Sequence, residues 1–375
     1  MSISFPWKAT VLCGCVFGLS LSQQAKASRT SYRNAHPVGW MHLLPVGETP
    51  GWAASAWVNL ELNHANIWNK EFSMLDRRNG SRYTYEADFE QSSAILEVGQ
   101  ALTPDVAFAV EVAYANRNGG FLDDFIDQFH TTINTERFLR HLNDDYGNTF
   151  RVQTNGEDRL ATMSGQQGVG SVKAKLKWWL WKWQSPTAGV CDCGFAVSTQ
   201  TKFPTRPRKS GLSSGTNDYS VLVHAGAPLW KYAGVWVTGA WTRLGANETF
   251  AGWPREEWQQ MYELSLDLGL GPHLGILLQA RTESPLFRRA DLEFEHTEMG
   301  AAERASERVA SGWNSLVEWR GSQAVALRWR WGRGSMINFM FIEDWGLGDM
   351  ENRGDWLYVN NAPDVAFVSQ WHLVF

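Results

Sequence analysis

A chain of 375 residues with a formal net charge of -5 has room for one large domain or two ordinary ones, and no basic excess that would suggest a nucleic-acid partner. Its 21 Trp, 34 Gly and 19 Phe stand beside a hydrophobic share of only 44%. So many aromatics in a chain that is not greasy overall suit a membrane β-barrel, where only alternate residues face lipid, and past the N-terminus no run reaches the roughly 18 apolar residues of a membrane helix.

Residues 1–27 read as a secretion signal. Lys8 supplies the basic start, "ATVLCGCVFGLSLS" the apolar core, and Ala25-Lys26-Ala27 a small-x-small cleavage site, so the mature chain is expected to begin at Ser28. A rival reading takes "LCGC" as a lipoprotein box with Cys15 lipidated, although the apolar core continues well past that residue. Residues 28–51 hold Pro37, Pro45 and Pro50 and are expected to form a periplasmic or lumenal N-terminal segment.

From residue 52 onward the chain alternates apolar and polar residues with the period of a strand. Strands are expected near 52–66, 82–101, 105–117, 168–183, 189–203, 217–226, 230–244, 257–269, 272–283, 313–331, 336–345 and 364–375. Short turns such as Pro272 and Arg333 alternate with long ones at 67–81, 118–166, 204–216, 245–256, 284–312 and 346–363, the asymmetry of a barrel with periplasmic turns and outer loops. The expected fold is all-β: one transmembrane antiparallel β-barrel of about twelve strands over 52–375, in the outer membrane of a Gram-negative bacterium.

The alternation also assigns the faces. In one strand Val172, Ala174, Leu176 and Trp178 alternate with Lys173, Lys175 and Lys177. A Lys in hydrocarbon would cost about 2–4 kcal/mol at the bilayer midplane, so the lysines are expected to line the lumen, with Arg328 and Arg330, opposite acids such as Glu97, Glu111, Glu263 and Asp267. The reading favours a narrow lumen filled by paired charges over an open water channel.

The longest loop, 118–166, interrupts the alternation with "GGFLDDFIDQFH". Phe121, Leu122, Phe125, Ile126 and Phe129 recur at helical spacing, and Asp123, Asp127 and His130 share roughly one face. The sharp reading is a cation site or acid/base cluster. The plainer one is an amphipathic docking helix, entered near Gly119-Gly120, whose aromatic face packs on the wall or on another protomer. A loop of this length is expected to carry a function or to plug. Further on, Cys191 and Cys193 form "CDC", which is no zinc spacing; they are either neighbours on a strand face or a local disulfide.

The chain closes on "DVAFVSQWHLVF", with Trp371, Leu373 and Phe375 on one face, like the C-terminal signal by which outer-membrane barrels meet their assembly machinery. Ser213, Ser214, His130 and Asp218 supply residue types for a lipid-modifying enzyme, but "LSSGTNDY" reads as a polar turn bounding a hairpin.

"NGGFLDDFIDQFH" (Asn118 to His130) with Arg137, "TKFPTRPRKSGLSSGTNDYSV" (Thr201 to Val221), "MFIEDW" (Met340 to Trp345) and "APDVAFVSQWHLVF" (Ala362 to Phe375) together resemble a porin-like outer-membrane family of Gram-negative bacteria long catalogued as a domain of unknown function. The resemblance spans nearly the whole mature chain. It implies a small barrel whose members assemble into rings, which in predatory-bacterial members enclose a patch of lipid bilayer. It supplies no catalytic residues, cofactor or metal. The sequence departs from that pattern in the long loop 284–312, which bears on how protomers would meet. The expected function is therefore a non-enzymatic, porin-like protein that forms homo-oligomers and organises membrane lipid, with a diffusion channel for small polar solutes, or a lipid-modifying enzyme, as the alternatives.

Overall fold

The computed structural model describes residues 31–52, 55–120, 122, 128, 132, 148–162, 166–182, 193–205, 211–230, 233–271, 273–295, 313–331, 335–346, 358–359 and 365–375. In chain order the strands are β1 (Ala56–Asp76), β2 (Arg82–Thr103), β3 (Val106–Asn118), β4 (Thr149–Thr154), β5 (Glu157–Thr162), β6 (Gln166–Lys182), β7 (Gly194–Pro204), β8 (Asp218–Trp230), β9 (Ala233–Arg243), β10 (Trp258–Gly269), β11 (Leu274–Glu283), β12 (Leu292–Glu295), β13 (Arg320–Trp331), β14 (Ser335–Gly346), β15 (Tyr358–Val359) and β16 (Val365–Val374). Twelve of them, all but β4, β5, β12 and β15, form a closed antiparallel barrel. Closure is made by β1, whose Leu60 stands opposite Leu96 of β2 on one side and Trp371 of β16 on the other.

The period of two sorts the side chains. On β10, Tyr262 and Leu264 are 39% and 49% exposed, while Glu263, Ser265 and Asp267 between them are at most 3% exposed. The same inversion recurs on β13, where Val325, Leu327 and Trp329 face out and Arg328 is buried. An apolar belt outside and buried charges inside make this an outer-membrane barrel. The short connections (Thr103 to Val106, Gly269 to Leu274, Trp331 to Ser335) lie at the end where β1 begins and β16 finishes, which is the periplasmic side.

Two strands are far taller than a membrane requires. β1 and β2 have 21 and 22 residues, about 70 Å of strand each, where about 9–11 residues cross the bilayer. The expected loop 67–81 is thus mostly strand, and β1 runs ten residues past its expected end. Above the membrane the sheet widens: β12 pairs with the top of β1, and β4 pairs with the top of β2. The β4–β5 hairpin lies inside the long loop 118–166. It turns on Asn155-Gly156, both at positive φ (52° and 79°), the two-residue geometry that matches strand twist.

The inner side of this extension carries an aromatic roof. Phe72 stacks on Phe294 at 5.6 Å and meets Trp313 edge-on at 6.1 Å; Trp253 stacks on Tyr83 at 4.8 Å and touches Phe250 and Phe287. Residues 313–317, expected at the start of a strand, are instead helical: Trp313, Leu316 and Val317 have the i, i+3, i+4 spacing that buries one helical face in the roof.

The face assignment has a direct test. Leu264→Arg would place a charge in hydrocarbon and is expected to cost about 2–4 kcal/mol, lowering the folded, heat-modifiable fraction in the outer membrane. Glu157→Arg, in the exposed hairpin, is expected to leave that fraction unchanged. Equal yields of the two variants on semi-native gels would reverse the faces.

Candidate functional site

Residues 31–52 are buried from end to end and lie inside the barrel. Pro37, Pro45 and Pro50 deny this segment the N–H groups of a regular strand. Only a short turn, Pro37–Trp40, is helical; it has Pro at its first position and is capped by His36, whose Nδ1 accepts from Gly39 N at 3.1 Å. The rest of its backbone must find partners elsewhere, because unpaired buried N–H and C=O groups are costly. The inward side chains of the wall supply them. Lys202 Nζ donates to Met41 O at 2.6 Å, Lys173 Nζ to Leu44 O at 3.3 Å, and Arg281 to the carbonyls of Tyr32 and Pro45 at 3.1 Å each. Asp218 accepts from Leu43 N at 2.7 Å, and Glu61 from Arg33 N at 3.0 Å.

Many of the charges that remain are paired. Lys173 lies 2.8 Å from Glu111, which also faces Arg33 of the plug at 3.7 Å. Lys175 bridges Glu97, at 2.8 Å, to Glu48 of the plug, and Lys177 meets the same Glu48 at 3.2 Å. Arg328 and Arg330 converge on Asp267. Glu263 is 4.0 Å from Arg281, which together with Arg320 binds Glu283. Arg33 stacks on Trp40, 4.0 Å from the ring centre. The voids left between plug and wall beside Glu48, Glu97 and Lys175 measure about 10 Å³, room for about one water each.

Lys173, Lys175, Lys177, Glu111, Glu263 and Arg328 therefore all point inward and are buried, while Arg330 is partly exposed near the periplasmic end. Sequence reasoning missed the other half of the contact set: Glu48 on the plug, and Lys202, Asp218, Arg281, Glu283 and Arg320 on the wall. The signal was present as alternation, in Ser198-Gln200-Lys202 and Gln279-Arg281-Glu283. Nothing in either run says that the partner is the chain's own N-terminal backbone.

One buried cluster has the residue types of a hydrolase. Lys202 Nζ lies 2.6 Å from Ser214 Oγ and 2.8 Å from Asp218, which in turn lies 3.3 Å from His42. The ammonium donates to Met41 O, Ser214 Oγ and Asp218 together, so it has no lone pair with which to take a proton from Ser214. All four residues are at most 1% exposed. The cluster is a tie between plug and wall. Ser198 and His224, 2.9 Å apart, are equally buried. Among the described residues no group of three or more His, Cys, Asp or Glu could hold a metal ion.

The "GGFLDDFIDQFH" segment starts on the outside of the wall. Leu122, Gln128 and Thr132 are helical, and Leu122 is buried against Val365 of β16 and Phe341 of β14. The Leu122 N–H donates to Glu90, which shares the lipid-facing side of β2 with Leu96 and Val98 and also pairs with His64 at 2.8 Å. A Cβ on Gly120 would fall 1.7 Å from the Glu90 carboxylate, so any larger residue would have to push that carboxylate aside. Phe121, Asp123, Phe125, Asp127, Phe129 and His130 lie outside the described residues.

At the C-terminus, Trp371 and Phe375 are 40% and 67% exposed on the outer face, with Leu373 partly exposed between them. Cys193 is disulfide-bonded, and Cys191 lies outside the described residues.

Residues 10–295 match the family described as "Protein of unknown function (DUF3187)". No curated protein matches the chain. Among solved structures, the chain is similar to the COG4313 outer membrane channel from Pseudomonas putida F1 (TM-score 0.46, 11% identity, covering 89% of this chain and 98% of that one). It is also similar to the NanC porin (TM-score 0.36, 7% identity, 84% and 97% covered) and to a Pseudomonas aeruginosa FadL homologue (TM-score 0.35, 6% identity, 92% and 98% covered).

The tie between plug and wall predicts a large single-mutant effect. Lys202→Met leaves Asp218 buried without its cation and is expected to cost about 3–5 kcal/mol, read as a lower urea midpoint and faster tryptic cleavage at Arg33. Adding Asp218→Asn should restore part of the loss. A single mutant as stable as the parent would show that the pair does not hold the plug.

Proposed function

This chain belongs to the DUF3187 family of proteins of unknown function, and we propose that it is a non-enzymatic, porin-like outer-membrane protein whose lumen is closed and whose exterior does the work, forming homo-oligomers that organise or enclose membrane lipid. The observation that carries this reading is the burial of residues 31–52 inside the barrel, bonded along their length to the wall. Water-filled diffusion pores leave a continuous lumenal path, whereas here the spaces between plug and wall beside Glu48, Glu97 and Lys175 are about 10 Å³. Leu122 supports an outward-facing role, because it packs on barrel wall that would otherwise face lipid or a second protomer. In this reading Trp371, Leu373 and Phe375 serve biogenesis, as the strand end offered to the barrel-assembly machinery.

Two measurements test the proposal. In planar bilayers the purified protein is expected to be nearly silent, and a variant lacking residues 31–51 to show discrete conductance steps; steps of porin size from the parent would establish the diffusion channel instead. The mass of the complex extracted in mild detergent should be a multiple of the protomer mass. A monomer under every mild condition tried would remove the oligomeric part of the reading. For biogenesis, Phe375→Asp is expected to leave protein in the periplasm, seen as loss of the heat-modifiable band from the membrane fraction.

A further inference from the structure

We propose that the outer rim of the wall at β8, β9 and β10 carries a binding site for the phosphate of an outer-leaflet lipid, built on Arg243 and Arg255.

The register sets the site. Tyr219, Arg243 and Trp258 stand side by side across the three strands, on the lipid-facing side. Tyr219 and Trp258 are 52% and 55% exposed, and Arg243 between them is exposed too. Just below, Trp241 meets Tyr262 edge-on and Tyr262 stacks on Trp319, each pair 6.2 Å apart. Such amphipathic aromatics mark the level where hydrocarbon gives way to headgroups. Arg243 therefore sits at headgroup height on the membrane side of the barrel.

Most arginines in this wall have a carboxylate: Arg281 and Arg320 have Glu283, Arg328 and Arg330 have Asp267. Arg243 has no ion-pair partner among the described residues, which leaves its guanidinium available to the anions of the membrane surface. Behind it opens a cavity of about 300 Å³ lined by Asn217, Tyr219, Arg243, Arg255 and Glu257, among others. Arg255 is held at the cavity by donating to Gly245 O. Gly245 N is in turn fixed to Asp218 at 2.6 Å, and Leu244 N to Glu257 O at 2.8 Å, so the cavity wall is tied to the same aspartate that holds the plug. Burial lowers the Arg255 guanidinium from its ordinary value, with Asp218 and Glu257 pulling the other way; an added anion would relieve that shortage of negative charge. Two guanidiniums against the one carboxylate of Glu257 leave a single positive charge, which suits one phosphate rather than a polyanion.

The site deepens the reading of the exterior as the working surface, and the two fail separately, since the mass of the oligomer makes no reference to Arg243. The test uses full-length protein in detergent, with dimyristoylphosphatidylglycerol as the probe, dimyristoylglycerol as the probe without phosphate, and inorganic phosphate as the free anion, read by native mass spectrometry. The phospholipid should be retained at least about tenfold better than the diacylglycerol, and Arg243→Gln and Arg255→Gln should each lower that retention by about tenfold, the scale of one charge-assisted hydrogen bond. Arg77→Gln, at an exposed arginine of the outer extension, should change nothing. Heat-modifiable migration checks folding, and if Arg255→Gln fails that check, Arg243→Gln decides alone. Equal retention of the diacylglycerol, unchanged binding in Arg243→Gln, or displacement of the phospholipid by inorganic phosphate at equal concentration would each overturn the site.

Discussion

The pairing of β1 with both β2 and β16 is the constraint on which everything else rests. In hydrocarbon there is no water to satisfy a free strand edge, so a membrane sheet must close on itself. Closure separates two environments along one chain. Alternate side chains then face lipid or an interior cut off from it, and that is why Leu264 and Glu263 can be neighbours on β10 and each be well placed.

The interior raises the next problem. A narrow lumen lined by charged side chains must be filled by water or by protein, and here residues 31–52 fill much of it. Three prolines keep the segment irregular, so its carbonyls and amides look outward for partners, and the lysines, arginines and carboxylates of the wall meet them. Buried ion pairs of this kind are weak evidence for net stability, because desolvation offsets much of the Coulombic gain. Their directional demands are better evidence for specificity. Asp218 accepts at once from Gly245 and Lys202 and from Leu43 and His42 of the plug, so the plug must be placed where its two donors reach an aspartate that the wall already holds.

With the lumen occupied, the exterior becomes the surface on which partners can act. It is not uniformly apolar. Buried Glu90 and partly exposed His64 form a polar pair on the lipid side, where the chain at Gly120 and Leu122 comes up against the carboxylate. A carboxylate there would be expensive in bare hydrocarbon. It is tolerated because it lies high on the wall, accepts from the Leu122 N–H and pairs with His64. Above this level β1 and β2 carry the sheet tens of ångströms out of the bilayer, and the aromatic roof lets that extension stand as a packed body instead of a bare ribbon.

The sequence by itself determined the barrel, its strand number, which face of each strand meets lipid, and the inward aim of Lys173, Lys175, Lys177 and Arg328. All of these follow from a local period of two and from the cost of a charge in hydrocarbon. It also held signals that went unread: Asn155-Gly156 between two short alternating runs is a hairpin turn, and Trp313-Leu316-Val317 has helical spacing. Only the tertiary structure decided what fills the lumen and where Leu122 docks. The alternation that puts Lys202 and Asp218 inside is the same whether their partner is water, a solute or Met41 and Leu43. Likewise Leu122 is apolar enough to dock inside the barrel or outside it. What placed it on Val365 and Phe341 is the position of Glu90, more than thirty residues earlier on the outer face of β2, a contact of long range that no local pattern encodes.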